Sequence, residues 1–477
     1  MRNYEFIYEG EYDETRIDKA ILTKLIQKHK HYVQPGLVKC QAYYNGDQLI
    51  NSREKKDKSA PNNKVVCNHA QDIANTAVGY FLSNAINYST KEENDAALDK
   101  LTDAFDVAAT DDVDHDNGLD LSIGGCAFEY VYAKEGEAIP LSKNLSNIST
   151  FMVYDDTIEQ NELFAVYYWE YLPANTDTVR YKAFVMTRHF IYELDLDNEY
   201  KKRTYVTEEP KPHNFGEVPV IFYKNNKYCH GDFELQIPLI DAYNTLMSDR
   251  LNDKEQFLDS IMVLYGAIMG DDEQETSEAM KELKEHRLLE LPEGSKAEYI
   301  TRTFDENGVE VLRKAIKHDI YTFSHVPDLS DENFAGNTSG VAMEYKLMGL
   351  EMITKTKSRY YQQGLKKRIR LYCNYLNLKN YALNPTSIMV TFKRGLPKNM
   401  LELSQIVSNL DGRVSQKTLI SQLPFVEDPD GELEVLKREK EDNVRFQQEF
   451  FASTANERAE DEEEVNEGTN EGAAILA

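Results

Sequence analysis

Several features are missing from these 477 residues, and each absence removes a class of function. Nowhere do 18 consecutive apolar residues occur, so no stretch is long enough to span a bilayer as a helix. The opening residues, MRNYEFIYEGEYDE, lack a basic start followed by an apolar core, and a secreted or membrane-inserted protein is not expected. Neither G-x-G-x-x-G nor G-x-x-x-x-G-K-[ST] occurs, which removes both common nucleotide-binding loops. Cysteine is scarce: Cys40, Cys67, Cys126, Cys229 and Cys373 are odd in number and widely scattered, which suits buried thiols in a reducing compartment rather than a disulfide frame. Basic charge is scarce too. With 54 Lys and Arg against 82 Asp and Glu, the net charge is −28, the opposite of the footprint of a protein that grips nucleic acid through phosphates. An acidic wall past which DNA slides without sticking is compatible with it.

Catalytic and metal chemistry find little support. Gly336-Asn337-Thr338-Ser339-Gly340 places its Ser fourth, where a nucleophile elbow needs it third. Cys67 with His69 and Cys229 with His230 are isolated pairs, without the second pair that a zinc site requires. Asp111-Asp112, Asp155-Asp156 and Asp271-Asp272 could serve a metal-dependent nuclease only if carboxylates converged in space. In a chain with 82 acids, turns and solvated faces account for them. No enzyme, metal or cofactor is expected.

The length accommodates roughly two to four domains. A hydrophobic fraction of 41% and a charged fraction of 29% describe a folded chain with a polar surface. Residues 16–31 read as a short helix stopped by Gln34-Pro35-Gly36, and residues 45–63 as a lysine-rich loop. Val66, Ala70, Ile73, Ala77 and Phe81 recur at helical spacing. An acidic helix covers 98–120. Strands at 127–133, 164–171, 181–186, 189–194 and 218–223 make the first half an α+β domain with an antiparallel sheet. Pro238 opens a helix expected to run through Tyr265, about 40 Å long, with a stripe of Ile240, Tyr243, Met247, Leu251, Leu258, Ile261 and Tyr265. A small insert follows at 266–302, with a helix at 272–286 and strands at 287–291 and 298–301, and then a helix at 309–323.

Residues 325–340, HVPDLSDENFAGNTSG, carry the Pro, Asp, Ser, Asn and Gly of an irregular loop between two helical segments. A loop of that length is usually functional or disordered. A long helix at 341–376, a strand at 388–393, helices at 400–410, 415–423 and 430–452, and a glutamate-rich tail complete the reading. One charge feature stands apart. From Met352 to Leu401 there is no Asp or Glu, while eleven Lys and Arg occur. Lys355, Lys357, Arg359, Lys366, Lys367, Arg368 and Arg370 share one predicted helix. Two readings stand: the helix docks on acidic surface of its own chain or of a neighbour, or it touches DNA without reading sequence.

Four segments carry a resemblance. NNKVVCNHAQDIANTAVGYFLSNAINYS resembles the amino-terminal helix of portal proteins of long-tailed double-stranded DNA bacteriophages, and GLDLSIGGCAFEYVYAKEGEAIPLSKN with FMVYDD resembles the strand and turn after it. FELQIPLIDAYNTLMSDRLNDKEQFLDSIMVLYG is similar to that family's first stem helix. VPDLSDENFAGNTSGVAMEYKLMGLE is similar to its channel loop and the following helix. The resemblance implies an α+β portal fold: a wing before residue 237, stem helices at 238–265 and 307–325, a clip at 266–306, a tunnel loop at 326–340, a helix and strand returning to the wing at 341–401, a crown at 402–454, and a disordered acidic tail at 455–477.

It further implies a closed ring of about twelve copies at one capsid vertex of the virion, assembled in the host cytoplasm. Its implied partners are duplex DNA, the terminase large subunit, a head-tail adaptor, and the major capsid and scaffolding proteins. No membrane is implied. The loop comprises Val326, Pro327, Asp328, Leu329, Ser330, Asp331, Glu332, Asn333 and Phe334. Asp328, Asp331 and Glu332 are expected to repel phosphates, Leu329 and Phe334 to pack on neighbouring loops, and Gly336 and Gly340 to act as hinges.

Overall fold

The computed structural model describes residues 6–330, 340–441 and 445, apart from 57, 59, 91–94, 176, 258–260, 266–271, 278–280, 282–293, 301–304, 380, 395–399 and scattered positions between 422 and 430. The chain divides into two compact units, one formed by 1–337 with 344–395 and the other by 338–343 with 396–477.

In the first unit, Asp18 starts helix α1 (Lys19–Tyr32) by accepting the Ala20 N–H at 2.9 Å. Helix α1 ends just before Gln34-Pro35-Gly36, as expected, but these residues form no turn and open a second helix, α2 (Gln34–Tyr44). Proline costs nothing in a first turn, where its absent N–H has no partner to lose and its φ is already helical. Helix α1 packs against a six-stranded sheet in the order Phe6–Ile7, Thr150–Tyr154, Glu162–Tyr171, Arg180–Met186, Phe190–Asp197 and Lys211–Pro212, and α2 lies beside α1. The first pair is parallel and the rest antiparallel. Leu22, Ile26 and Leu37 pack on Phe151, Val166, Ala183 and Leu194 in the first core. Each Leu, Ile, Val or Phe side chain among these contributes roughly 1.5–3 kcal/mol on burial. His29 is sealed in this layer, 5.1 Å from Phe151 ring to ring, with Nδ1 2.9 Å from the Tyr168 hydroxyl. Burial pushes its pKa down to about 4.

A second core lies across a three-stranded sheet of Val220–Lys224, Cys126–Tyr132 and Leu141–Leu145. Side chains alternate along the central strand. Cys126 and Phe128 enter the first core, Ala127 and Val131 the second. The strand is entered through Gly125, at φ +82°, where a Cβ would lie 2.1 Å from the Cys229 carbonyl oxygen, so only glycine fits. The second core is closed by helices α3 (His69–Phe81), α4 (Asp95–Val107) and α5 (Thr110–Gly124) and by a long helix near the carboxyl end. The single acidic helix expected at 98–120 is thus two, divided at Ala109, whose φ of +48° is left-handed.

Helix α6 (Ile237–Phe257) departs from its expected stripe. Ile240 and Tyr243 are buried, but Leu251 is 41% exposed, and the deepest line along the helix is Asn244, Ser248 and Asn252. These polar side chains, four residues apart, accept backbone N–H groups of an extended strap: Cys67 to Asn244 at 2.8 Å, Val65 to Ser248 at 3.0 Å and Asn63 to Asn252 at 2.7 Å. The strap explains why α3 starts only at His69, behind the Asn68 cap, and leaves Val66 of the expected stripe outside the helix. The helix also stops short of Tyr265. Residues Ile261–Tyr265 form a strand paired antiparallel with Lys296–Ile300, as the β-prone run Ile-Met-Val-Leu-Tyr favours. Residues 273–277 are helical, and the strand expected at 287–291 lies outside the described residues.

Helix α7 (Glu306–Ser324) is capped by Asp305, which accepts the Gly308 N–H at 2.9 Å. Helix α8 (Gly340–Asn377) holds 38 residues, and Ile388–Thr391 then pairs with Asn87–Thr90. In the second unit, α9 (Met400–Leu410) and α10 (Gln416–Ile420) follow, the latter capped by Ser415, and residues 431–441 are helical. The tail at 455–477 lies outside the described residues.

Candidate functional site

Helices α6 and α7 run antiparallel and are clamped by charge. Arg250 reaches Glu306 at 2.5 Å and Glu310 at 3.0 Å, Lys254 adds Glu306 at 3.2 Å, and Arg313 spans Glu310 at 2.6 Å and the Tyr243 hydroxyl at 3.0 Å. The hydrogen bonds from Arg313, with Arg250 behind them, hold the Glu310 carboxyl down to about 2. At the far end the Gln236 amide donates to the Phe323 carbonyl at 3.1 Å. Tyr321 donates to Asp72 at 2.6 Å, tying α7 to α3. These contacts fix the register of the pair, which brackets the paired strands Ile261–Tyr265 and Lys296–Ile300.

Beyond His325, which leaves α7 in a left-handed turn at φ +59°, lies the candidate channel loop. Its first residues are fastened down. Val326 is buried and Pro327 half-buried. Asp328 pairs with Lys317 at 2.6 Å and accepts the Ser330 hydroxyl at 2.6 Å, and Lys317 donates to Ser330 at 2.9 Å. Although partial burial opposes it, these hydrogen bonds lower the Asp328 pKa. Asp328, expected from the sequence to repel phosphates, is thus ion-paired within its own chain. Leu329 is 59% exposed. Asp331, Glu332, Asn333, Phe334 and Gly336 lie outside the described residues, and Gly340 is the first residue of α8.

The seven cations of α8 separate by helical face. Lys357, Lys367 and Arg368 are buried and held by acids of their own chain, so contact with DNA or with a neighbour is closed to them. Lys357 pairs with Asp232, which also accepts from Ser122 at 2.5 Å. Lys367 pairs with Glu162 and donates to the Val220 carbonyl at 2.7 Å. Arg368 is fully enclosed between Asp114 and Glu129, the first accepting also from Tyr361 and the second from Tyr223 at 2.6 Å. Arg370 meets Glu217 at 2.9 Å on a more exposed surface. Lys355, Arg359 and Lys366 face outward, with Lys355 3.5 Å from Glu351. Of the two readings, docking on the chain's own acids describes four of the seven.

Among the described residues, no group of three His, Cys, Asp or Glu is arranged to hold a metal ion, and no helix is long and apolar enough to cross a membrane. Cys40, Cys126, Cys229 and Cys373 are buried and Cys67 half-buried, and burial pushes the Cys373 thiol up to about 12. The geometry is that of braced helices and buried struts.

A family model described as "Phage portal protein, SPP1 Gp6-like" matches residues 23–445. The chain belongs to the phage portal protein family. It is 22% identical to the portal protein of Bacillus phage SPP1 over 98% of this chain and 95% of that one. It is 26% identical to the portal protein of Clostridium phage phiCD119 over 45% of this chain and 47% of that one. Among solved structures, a chain in the neck of an empty GTA particle aligns over 75% of this chain and 87% of its own length, at 11% identity and a TM-score of 0.43. A chain of the native gene transfer agent virion aligns over 74% and 89%, at 11% identity and 0.42.

Two features of this portal-family chain escaped sequence reasoning. The polar ladder on α6 has a local signal, since Asn244, Ser248 and Asn252 repeat every four residues on one face. The Arg368 cluster has a fainter one: Glu129 interrupts the apolar strand Cys126–Tyr132, and a carboxylate in such a strand needs a buried cation.

Proposed function

We propose that this portal-family chain is the subunit of a closed ring of about a dozen copies, set at one capsid vertex, through which double-stranded DNA is packaged and ejected. The observation that carries the reading is the family match across residues 23–445, joined to a 22% identity spanning nearly all of this chain and of a phage portal protein. In this reading 1–237 with 341–401 form the wing and α6 and α7 the stem. The clip is the segment between them, at 266–306. Residues 402–454 form the crown. The clip is the docking surface for the terminase and then for a head-tail adaptor, and capsid and scaffolding proteins meet the wing.

The loop at 326–340 projects into the channel. With Asp328 neutralised by Lys317, Asp331 and Glu332 are the charges that repel phosphates, while Leu329 and Phe334 pack between neighbouring loops and Gly336 and Gly340 let the loop swing. The protein then acts as a conduit and valve and performs no bond chemistry. The cation clamp between α6 and α7 supports this role, because a stem must carry load without its helices slipping. Electron microscopy of the purified full-length protein tests the reading: discs with a central hole are expected, and a monomer at every concentration tried overturns it. The loop is tested by replacing Asp331 and Glu332 with Ala. Unchanged packaging and unchanged retention of DNA would remove its assigned part.

A further inference from the structure

The Cys126–Tyr132 strand separates two surfaces of opposite character. On the side of the first core, Tyr130 and Tyr132 stack at 5.3 Å and, with Tyr167 and Phe184 of the larger sheet, wall a groove of about 880 Å³. All four rings are half-buried, and Trp169, 5.7 Å from Phe184, extends the aromatic surface at 39% exposure. Lys134, Lys143 and Lys211 stand around the groove with a single carboxylate, Glu135, among the residues that line it. Lys134 also makes an exposed contact of 3.7 Å with Glu137.

On the other side of the same strand, Leu101 and Phe105 of α4 pack with Val131 in the second core, and the outer surface of α4 and α5 is acidic. Asp99, Asp103, Asp106, Asp111, Asp112 and Asp116 are all exposed, against one lysine, Lys100. At the corner between the helices Val107 is 59% exposed, flanked in sequence by Asp106 and by Asp111-Asp112. Partial burial and then repulsion from Asp106 raise the Asp111 pKa, Arg368 opposing and Asp112 adding to it, so negative charge is crowded at the corner and only partly offset by its own chain.

We propose that these two surfaces meet between copies: the α4–α5 corner of one subunit seats Val107 among the aromatic rings of the next, and its aspartates face the lysine rim. The inference rests on the ring reading. A closed cyclic ring repeats one heterologous contact, which requires two different, complementary surfaces on every subunit. Groove and corner are two such surfaces, built from different residues of the chain. The groove has an apolar centre and a positive rim, and the corner an apolar knob and a negative one. Aromatic residues at the centre with polar groups around them are the ordinary anatomy of a protein interface. Rim charges of unlike sign speed association and set register, so assembly weakens with salt. The contact also answers how a chain of charge −28 associates with itself, since it joins unlike charges within an acidic molecule.

The test uses two full-length variants, a groove variant with Lys134→Glu, Lys143→Glu and Lys211→Glu, and a corner variant with Asp106→Lys, Asp111→Lys and Asp112→Lys. Ring formation is measured by native mass spectrometry and electron microscopy at physiological salt. Each variant alone is expected to lose rings by at least tenfold while keeping its circular dichroism and melting temperature. Mixing the two in equal amounts is expected to restore rings containing both, because each groove then meets a corner of opposite charge. If the unsubstituted protein forms rings and the variants do so equally well, the inference is overturned and the ring reading stands. Rings that are lost but not restored by mixing also overturn it. An unsubstituted protein that forms no ring removes the ring reading and the inference with it.

Discussion

Arg368 and Asp114 meet side by side inside the second core, with Nη1 2.8 Å from Oδ2 and Nη2 2.6 Å from Oδ1 and almost no solvent at either side chain. Glu129 occupies the remaining edge of the guanidinium, at 2.9 Å from Nε and 2.6 Å from Nη2. One cation thus holds two carboxylates from different elements, α5 and the central strand. Burial raises the Asp114 pKa against the pull of Arg368, and the Tyr361 and Tyr223 hydroxyls supply the donors that one guanidinium lacks.

Replacing Arg368 by Met strands two carboxylates in an apolar core. A loss of about 3–5 kcal/mol is expected, read from the midpoint of urea unfolding. Adding Asp114→Asn and Glu129→Gln should recover most of it, since an uncharged set of similar volume avoids the desolvation cost. An Arg368→Met protein as stable as the parent would show that the cluster holds nothing together.

Gly364 on α8 lies against a ring. A Cβ there would stand 2.3 Å from Cε1 of Tyr223, which stacks on Tyr361 at 4.4 Å. In a helix interior, Gly→Ala ordinarily gains roughly 0.5–1 kcal/mol. Here Gly364→Ala is expected to lose about 1–3 kcal/mol through overpacking. The sign of the change in melting temperature decides between the two effects.

Asn244→Ala removes the acceptor of the Cys67 N–H and the amide that donates to Gln48. The cost expected is about 1–3 kcal/mol for each buried polar group left without a partner. Hydrogen exchange distinguishes this from general loosening: the Cys67 amide should lose protection before those of the central strand do.

Stability should fall as the solution is acidified from pH 6.5 to 4, because His29 must be charged in the unfolded chain while burial holds it neutral in the fold, with a pKa of about 4. The stabilisation is present above the unfolded value and lost as pH falls through the folded one. The difference of 2.5 units corresponds to about 3 kcal/mol. His29→Phe should flatten that part of the curve in unfolding measured pH by pH.

Asp120 acts in the opposite sense. Burial raises its pKa to about 7, even though the Asn144 amide donates to it at 2.9 Å. Its contribution is full below pH 4 and is lost as pH rises through 7, on the order of 4 kcal/mol. Asp120→Asn is expected to stabilise the protein at pH 8 and leave it unchanged at pH 4. Equal effects at both values would contradict the assignment.

Elements defined by their own periodicity were legible in the sequence: the stripe from Ala70 to Phe81, the strands around Phe128, Val166 and Val185, and helices α7 and α8. What failed was local punctuation. Pro35 reads equally as a stop and as a first-turn residue, and nothing in Val107-Ala108-Ala109 announces a left-handed break. Ile261 to Tyr265 continued a helical stripe, but pairing with Lys296–Ile300 decided its conformation. For the site, the seven cations on α8 were visible, and which of them face inward was not. Lys357, Lys367 and Arg368 are buried because acids from 125 to 254 residues away come to meet them, and no local pattern reports that.

The same distances set an order of events during synthesis. The first core draws on residues between Phe6 and Cys229, so it can close while the rest of the chain is still being made. The second cannot. Until residue 368 has left the ribosome, Asp114 and Glu129 have no cation, and the second core lacks Tyr361, Leu365, Ile369 and Tyr372. A nascent or truncated chain ending before α8 is therefore half-closed, with two carboxylates keeping water in the unfinished half. The last long helix to be made is the one that shuts the molecule.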